Sequence, residues 1–128
     1  MIKNKTVIVA PAIKIKFWKQ IYKTLQKGKN DFHLVFVGHI RPNFILPPNF
    51  TFIYCDLTAA PCVEIAYRYA YKHIKDAEYI VNIADDLWFS DNFIQEMIDF
   101  YNLQRTKHET DFLLIGPTCS ITIVTGKP

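Results

Sequence analysis

Asp85 and Asp86 stand side by side directly after the apolar run Tyr79-Ile80-Val81-Asn82-Ile83-Ala84. Adjacent carboxylates repel, so a fold tolerates them where they are solvated, cap a turn or face a cation. Hard divalent ions such as Mg2+ and Mn2+ prefer carboxylate oxygens and often carry a substrate phosphate with them. The pair therefore reads either as a cation site or as a turn in which one aspartate bonds the backbone ahead of the next helix. Other chemistry-bearing residues are dispersed. His33, His39, His73 and His108 lack ligand spacing, and Ser120 has no partner pattern for nucleophilic catalysis. Cys55, Cys62 and Cys119 include no pair at the two-residue separation common in zinc and redox sites. They read as reduced, mostly buried thiols of a cytoplasmic protein.

The elements that must position Asp85-Asp86 follow from periodicity. Thr6 to Ala10 is β-branched and apolar and is closed by Pro11, as expected of a buried strand. A helix is expected from about Lys14 to Lys27. Phe17, Trp18, Ile21 and Leu25 form its buried face, and Lys16, Lys19, Lys23 and Lys27 its solvated one. Phe32 to Val37 reads as a second strand stopped at Gly38. The segment from Ile40 to Asn49 carries Pro42, Pro47 and Pro48, which exclude a helix and favour an extended surface loop. Phe50 to Cys55 is a third strand. A second helix starts near Ala59 or Ala60, with Thr58 or its neighbour as cap and Pro61 in its first turn, and carries Val63, Ala66, Ala70 and Ile74 on one face.

Tyr79 to Ala84 is apolar apart from Asn82, which predicts a strand in the middle of a sheet. Ser90 is the expected cap of a third helix that buries Phe93, Ile94, Met97, Ile98 and Tyr101. Phe112 to Ile115 and Cys119 to Val124 complete the pattern as short strands. Strands alternating with helices predict a three-layer α/β/α domain with a mostly parallel sheet, Rossmann-like in plan. Ligands bind such sheets outside the carboxyl ends of the strands. That edge should gather the Pro11 loop, Gly38-His39, Asp56 and Asp85-Asp86.

With 128 residues the chain suits a single domain, and half of it is hydrophobic, which excludes a disordered chain. The formal charge of +3 is mild, and the lysines of the first helix lack an aromatic platform, so no nucleic acid partner is expected. No apolar run approaches the length of a membrane span. Residues 1–12 faintly mimic a signal peptide, but the Lys-rich amphipathic stretch that follows favours a first strand.

The segment from Tyr79 to Asp86, followed by Leu87-Trp88-Phe89-Ser90-Asp91-Asn92-Phe93, resembles the acidic motif of family 2 glycosyltransferases. There a hydrophobic strand ends in Asp-x-Asp-Asp and an amphipathic helix follows. Glu64 to Ala70 sits where that family carries an Ala-Arg-Asn helix. The order of elements agrees from about Thr6 to Pro117, the first half of a typical member. The resemblance implies the nucleotide-binding half of a GT-A fold over residues 1–128, truncated on the acceptor side. It implies a nucleotide-diphosphate sugar as ligand, with Mn2+ or Mg2+ neutralising the diphosphate leaving group. Asp85 matches the metal-binding acid, and Asp86 the acid that holds the metal site or the sugar. Pro11 and Ala12 match the loop against the nucleoside, and Arg68 the arginine that supports the diphosphate.

The departures are specific. Ile83 replaces the first acid of the motif, Tyr69 replaces the asparagine after the arginine, and Gly38-His39 stands where an aspartate usually meets the base. No residue matches the catalytic base that would deprotonate an acceptor hydroxyl. The acceptor is undefined, and a partner chain supplying the missing half is one expectation. A non-catalytic nucleotide- or protein-binding module is the other. A phosphoacceptor receiver domain is set aside, because Pro11-Ala12 stands where it needs an acidic pair. Arg68 also has a simpler reading, as the ion-pair partner of Glu64 one helical turn away.

Overall fold

The computed structural model describes residues 5–86, 89–108, 113–115 and 121–123. The expected strands Phe112–Ile115 and Cys119–Val124 fall partly outside these. Strand β1 (Lys5–Pro11) leads through a 3-10 turn (Ile15–Phe17) into α1 (Trp18–Gln26). Then follow β2 (Phe32–Gly38), β3 (Phe50–Tyr54), α2 (Ala59–His73), β4 (Ala77–Asn82) and α3 (Phe93–His108). β5 (Leu113–Ile115) and β6 (Ile121–Ile123) pair antiparallel with each other, apart from the main sheet.

The main sheet has four parallel strands in the order β3-β2-β1-β4. The fold is a small α/β Rossmann-like one. Its two faces are separated by the two-residue period of the strands. Val7, Val9, Val35 and Val37 point to one side, where Cys62, Ala66 and Ala70 of α2 cover them. Ile8, Ala10, Leu34 and Phe36 point to the other, beneath Trp18, Ile21 and Leu25 of α1 and Phe93, Ile94, Met97 and Ile98 of α3. Both faces of β1 and β2 are covered, which explains why these strands are uninterrupted apolar runs. The lysines of α1 are exposed, as the helical period predicts.

The β2–β3 connection crosses between parallel neighbours without a helix. Its prolines keep it extended, but it is more than a surface loop. Phe44 and Leu46 pack against the α1-side core, leaving Ile45 in solvent. Asn49 anchors the end of the loop, accepting from Tyr22 Oη at 2.6 Å and donating to the Phe32 carbonyl at 3.1 Å.

Two expectations are corrected. The apolar run ending at Ala84 predicts an inner strand, but β4 pairs only with β1 and lies at the edge of the described sheet. Tyr79, Val81 and Ile83 pack on the α1 and α3 side, whereas Glu78, Ile80 and Asn82 are exposed. The reason is coverage: α2 lies mainly over β1 and β2 and reaches β4 less. Ser90 is not the residue directly before α3. That helix begins at Phe93, whose N–H donates to the Ser90 carbonyl, and the Ser90 hydroxyl bonds the Glu96 carboxylate. Among the described residues no helix is long and apolar enough to cross a membrane.

At the carboxyl ends of the strands, the β1 loop presses on Gly38. The Ala12 N–H donates to the Val37 carbonyl at 2.9 Å, and a Cβ on residue 38 would meet the Ala12 carbonyl oxygen at 2.1 Å. That neighbour is backbone, so relief requires moving the loop. Gly38→Ala should therefore destabilise the domain by about 1–3 kcal/mol, the usual cost of overpacking. Urea unfolding of the two proteins at equal m-value measures it.

Candidate functional site

Four parallel strands bring all their carboxyl ends to one edge, so Pro11-Ala12, Gly38-His39, Asp56 and Asp85-Asp86 share it, as the topology predicts. The strand order reverses between β1 and β4, the point at which such sheets open a crevice. Pairing there runs past the strand, because the Ile83 N–H donates to the Val9 carbonyl at 2.9 Å. Asp85 and Asp86 follow on the turn above it, next to the loop that leaves β1.

The two carboxylates have separate environments. Asp85 is only 5% exposed, and Asp86 is open to solvent. One oxygen of Asp85, Oδ2, accepts the Lys14 backbone N–H at 2.6 Å and the Trp18 indole Nε1–H at 3.0 Å. Trp18 is fully buried, with its ring edge-to-face against Phe36 at 5.4 Å between centroids and close to Phe50 and Phe52. A buried indole N–H needs an acceptor, and the surrounding aromatics offer none. Asp85 supplies it from 67 positions away in the chain. Sequence spacing alone does not mark Trp18 or Lys14 as site residues. The signal was present in Trp18 on an otherwise apolar helix face, since an indole placed in a core calls for a polar partner.

Ile83 occupies the position where the acidic motif would carry its first acid. It is 3% exposed and belongs to the core on the α1 and α3 side. A carboxylate there would be buried among hydrocarbons, so the departure at this position suits the packing.

The other expected residues divide between the edge and elsewhere. Pro11 is half-buried at the end of β1, Ala12 is buried, and His39 is exposed beyond β2. Close to His39, the Arg41 guanidinium lies 4.4 Å from the centre of the half-exposed Tyr54 ring. Arg68 is not at this edge. The amino end of α2 is at the carboxyl edge, and at 1.5 Å per residue Arg68 lies about 14 Å along the helix from Ala59. Its guanidinium pairs with Glu64 at 2.9 Å, both side chains being mostly exposed. With Tyr67, Tyr71, Lys72 and Ile80 it lines an open hollow of about 460 Å³ beside β4. The diphosphate contact expected of Arg68 is thus not brought to Asp85-Asp86, and the Glu64 pairing describes its surroundings. Arg68→Ala should change stability by no more than about 0.5 kcal/mol, the range of an exposed helical ion pair.

No described group of three or more His, Cys, Asp or Glu side chains could by itself hold a metal ion. A magnesium-type ion needs less from the protein, since one or two carboxylates and substrate phosphates suffice. Asp86 fits that requirement through its exposed carboxylate. In Asp85, Oδ2 is taken by two hydrogen bonds from the protein, which leaves Oδ1 as its one oxygen for an ion.

At the other side of the edge, Cys55 and Cys62 are buried free thiols. Cys62 Sγ lies 3.6 Å from the Leu57 carbonyl oxygen. Burial pushes the Cys62 thiol up to about 11, helped by the neighbouring Cys55 side chain and by the charge of Asp56. A folded-state value raised above the ordinary 9.0 favours the protonated thiol. Its contribution to stability is complete below pH 9 and is lost as pH rises towards 11. Urea unfolding across that range should show stability falling more steeply for the wild type than for Cys62→Ala. The paired comparison is needed because burial also raises the Tyr67 phenol.

No family model, curated protein or solved structure matches the chain.

Proposed function

We propose that the domain binds a nucleotide-diphosphate sugar together with Mn2+ or Mg2+, for transfer of the sugar to an acceptor. One observation carries the reading: the β3-β2-β1-β4 order sets Asp85-Asp86 against the β1 loop where the strand order reverses. The acidic turn and its flanking strand and helix, which resemble those of family 2 glycosyltransferases, supply the ligand class. In this reading Pro11 and Ala12 lie along the nucleoside and the exposed His39 is within its reach. The Asp85-Asp86 turn faces the diphosphate, with Asp86 offering the metal its open carboxylate. The ion, when bound, would neutralise charge on the leaving diphosphate.

The engagement of Asp85 by Lys14 and Trp18 favours a second reading, a nucleotide- or protein-binding module without turnover. No residue matches the family's base for an acceptor hydroxyl, which is compatible with either.

The melting temperature of the wild type with UDP-, GDP- and ADP-sugars, with and without MnCl2, tests the binding claim. Ligand at about 100-fold above Kd adds about 2.7 kcal/mol, which is several degrees of Tm. The shift should require manganese and should vanish in Asp86→Ala. No shift with any nucleotide sugar in the presence of manganese would refute the proposal. Where a shift occurs, release of nucleoside diphosphate separates a transferase from a binding module.

A further inference from the structure

Asp85 and Asp86 look equivalent in sequence, but the fold gives them opposite tasks. Lys14 opens the 3-10 turn that runs directly into α1, and this helical start has no acidic residue of its own. The amino end of a helix favours a negative charge, and in dinucleotide-binding sheets the corresponding place after the first strand receives the ligand's phosphates. Here the chain itself fills that place. Asp85 Oδ2 sits 2.6 Å from the Lys14 nitrogen and is held from its other side by the Trp18 indole at 3.0 Å. The residue is 95% buried, as its 5% exposure implies.

We infer that Asp85 is a positioning residue, a built-in anion that sets the β1–α1 loop through Lys14 and Trp18, and that Asp86 alone meets the cation and phosphates. The part concerning Asp86 rests on the function proposed above. The part concerning Asp85 does not. On this inference the nucleotide's phosphates meet the cation at the exposed Asp86, and not the Lys14 N–H that Asp85 takes.

Chemistry distinguishes a positioning carboxylate from a ligating one. Both hydrogen bonds converge on a single oxygen, so the amide oxygen of asparagine can accept both. A hard divalent ion, by contrast, discriminates strongly in favour of the charged carboxylate. Asp85→Asn should therefore preserve what Asp85 does by positioning and destroy what it would do as a ligand.

The test uses the full chain with 15N-labelled tryptophan, the Trp18 indole resonance being assigned by Trp18→Phe. It is combined with melting curves in manganese plus UDP, GDP or ADP. Asp85→Asn should keep the Trp18 resonance close to its wild-type position and hold the manganese-dependent melting shift within about twofold in apparent affinity. Asp85→Ala should move that resonance or fail to fold. Asp86→Asn should leave the resonance unchanged and weaken the manganese-dependent shift at least about tenfold, one charge-assisted contact being worth that much or more. A normal Trp18 resonance in Asp85→Asn with the manganese-dependent shift abolished would make Asp85 a metal ligand and overturn the inference. So would a Trp18 resonance in Asp85→Ala identical to the wild type. If manganese and nucleotide shift no protein, including the wild type, the proposed function and the Asp86 role fail together. The indole resonances still decide the role of Asp85.

Discussion

An indole N–H that has left water must find an acceptor, and in this protein that need joins two distant parts of the chain. Trp18 is the largest fully buried side chain among the described residues, and its ring organises the aromatic core formed with Phe36, Phe50 and Phe52. The nearest solution to its polar edge is the Asp85 carboxylate, which also takes the Lys14 N–H. A buried carboxylate is costly unless hydrogen-bonded, and a buried indole N–H is costly unless accepted. Each group therefore offsets the burial of the other. Because Lys14 and Trp18 follow β1 and Asp85 follows β4, the same bonds clamp the two neighbouring strand ends at which the strand order reverses.

Around that clamp the sheet has one complete side and one open one. β1 and β2 are covered on both faces, and no solvent reaches Val7 to Ala10 or Leu34 to Val37. β4 shares the core beneath α1 and α3 but leaves Ile80 and Asn82 exposed beside α2. The hollow formed there by Tyr67, Tyr71 and Ile80, with Arg68 and Lys72 at its border, is a consequence of where α2 lies. It explains why Arg68, in the expected place along the chain, is remote from the carboxyl edge in space.

The acidic turn shows how one motif accommodates two physical demands. Positions 83 and 85 alternate onto the core side of the chain, and both are buried, one as isoleucine and the other as a hydrogen-bonded aspartate. Asp86 falls on the outer side and stays in water. The charge that a ligand could meet is therefore decided by which carboxylate Lys14 and Trp18 draw inward, not by the number of acids in the motif.

Much of the fold was legible in the sequence, because strong periodicity reports burial. The apolar stripe of α1, its opposing lysines, the buried face of α3 and the continuous runs of β1 and β2 needed only local spacing to be read. So did the gathering of Pro11, His39 and Asp85-Asp86 on one edge, once parallel connections were inferred. The edge position of β4 was not legible, since an apolar strand reads alike whether its second face is covered or not. Nor was the division between Asp85 and Asp86. Local sequence determines that two carboxylates follow a strand. Only the packing of Trp18 across the sheet decides which one is taken inward, because the acceptor it requires comes from a residue distant in the chain and adjacent in space.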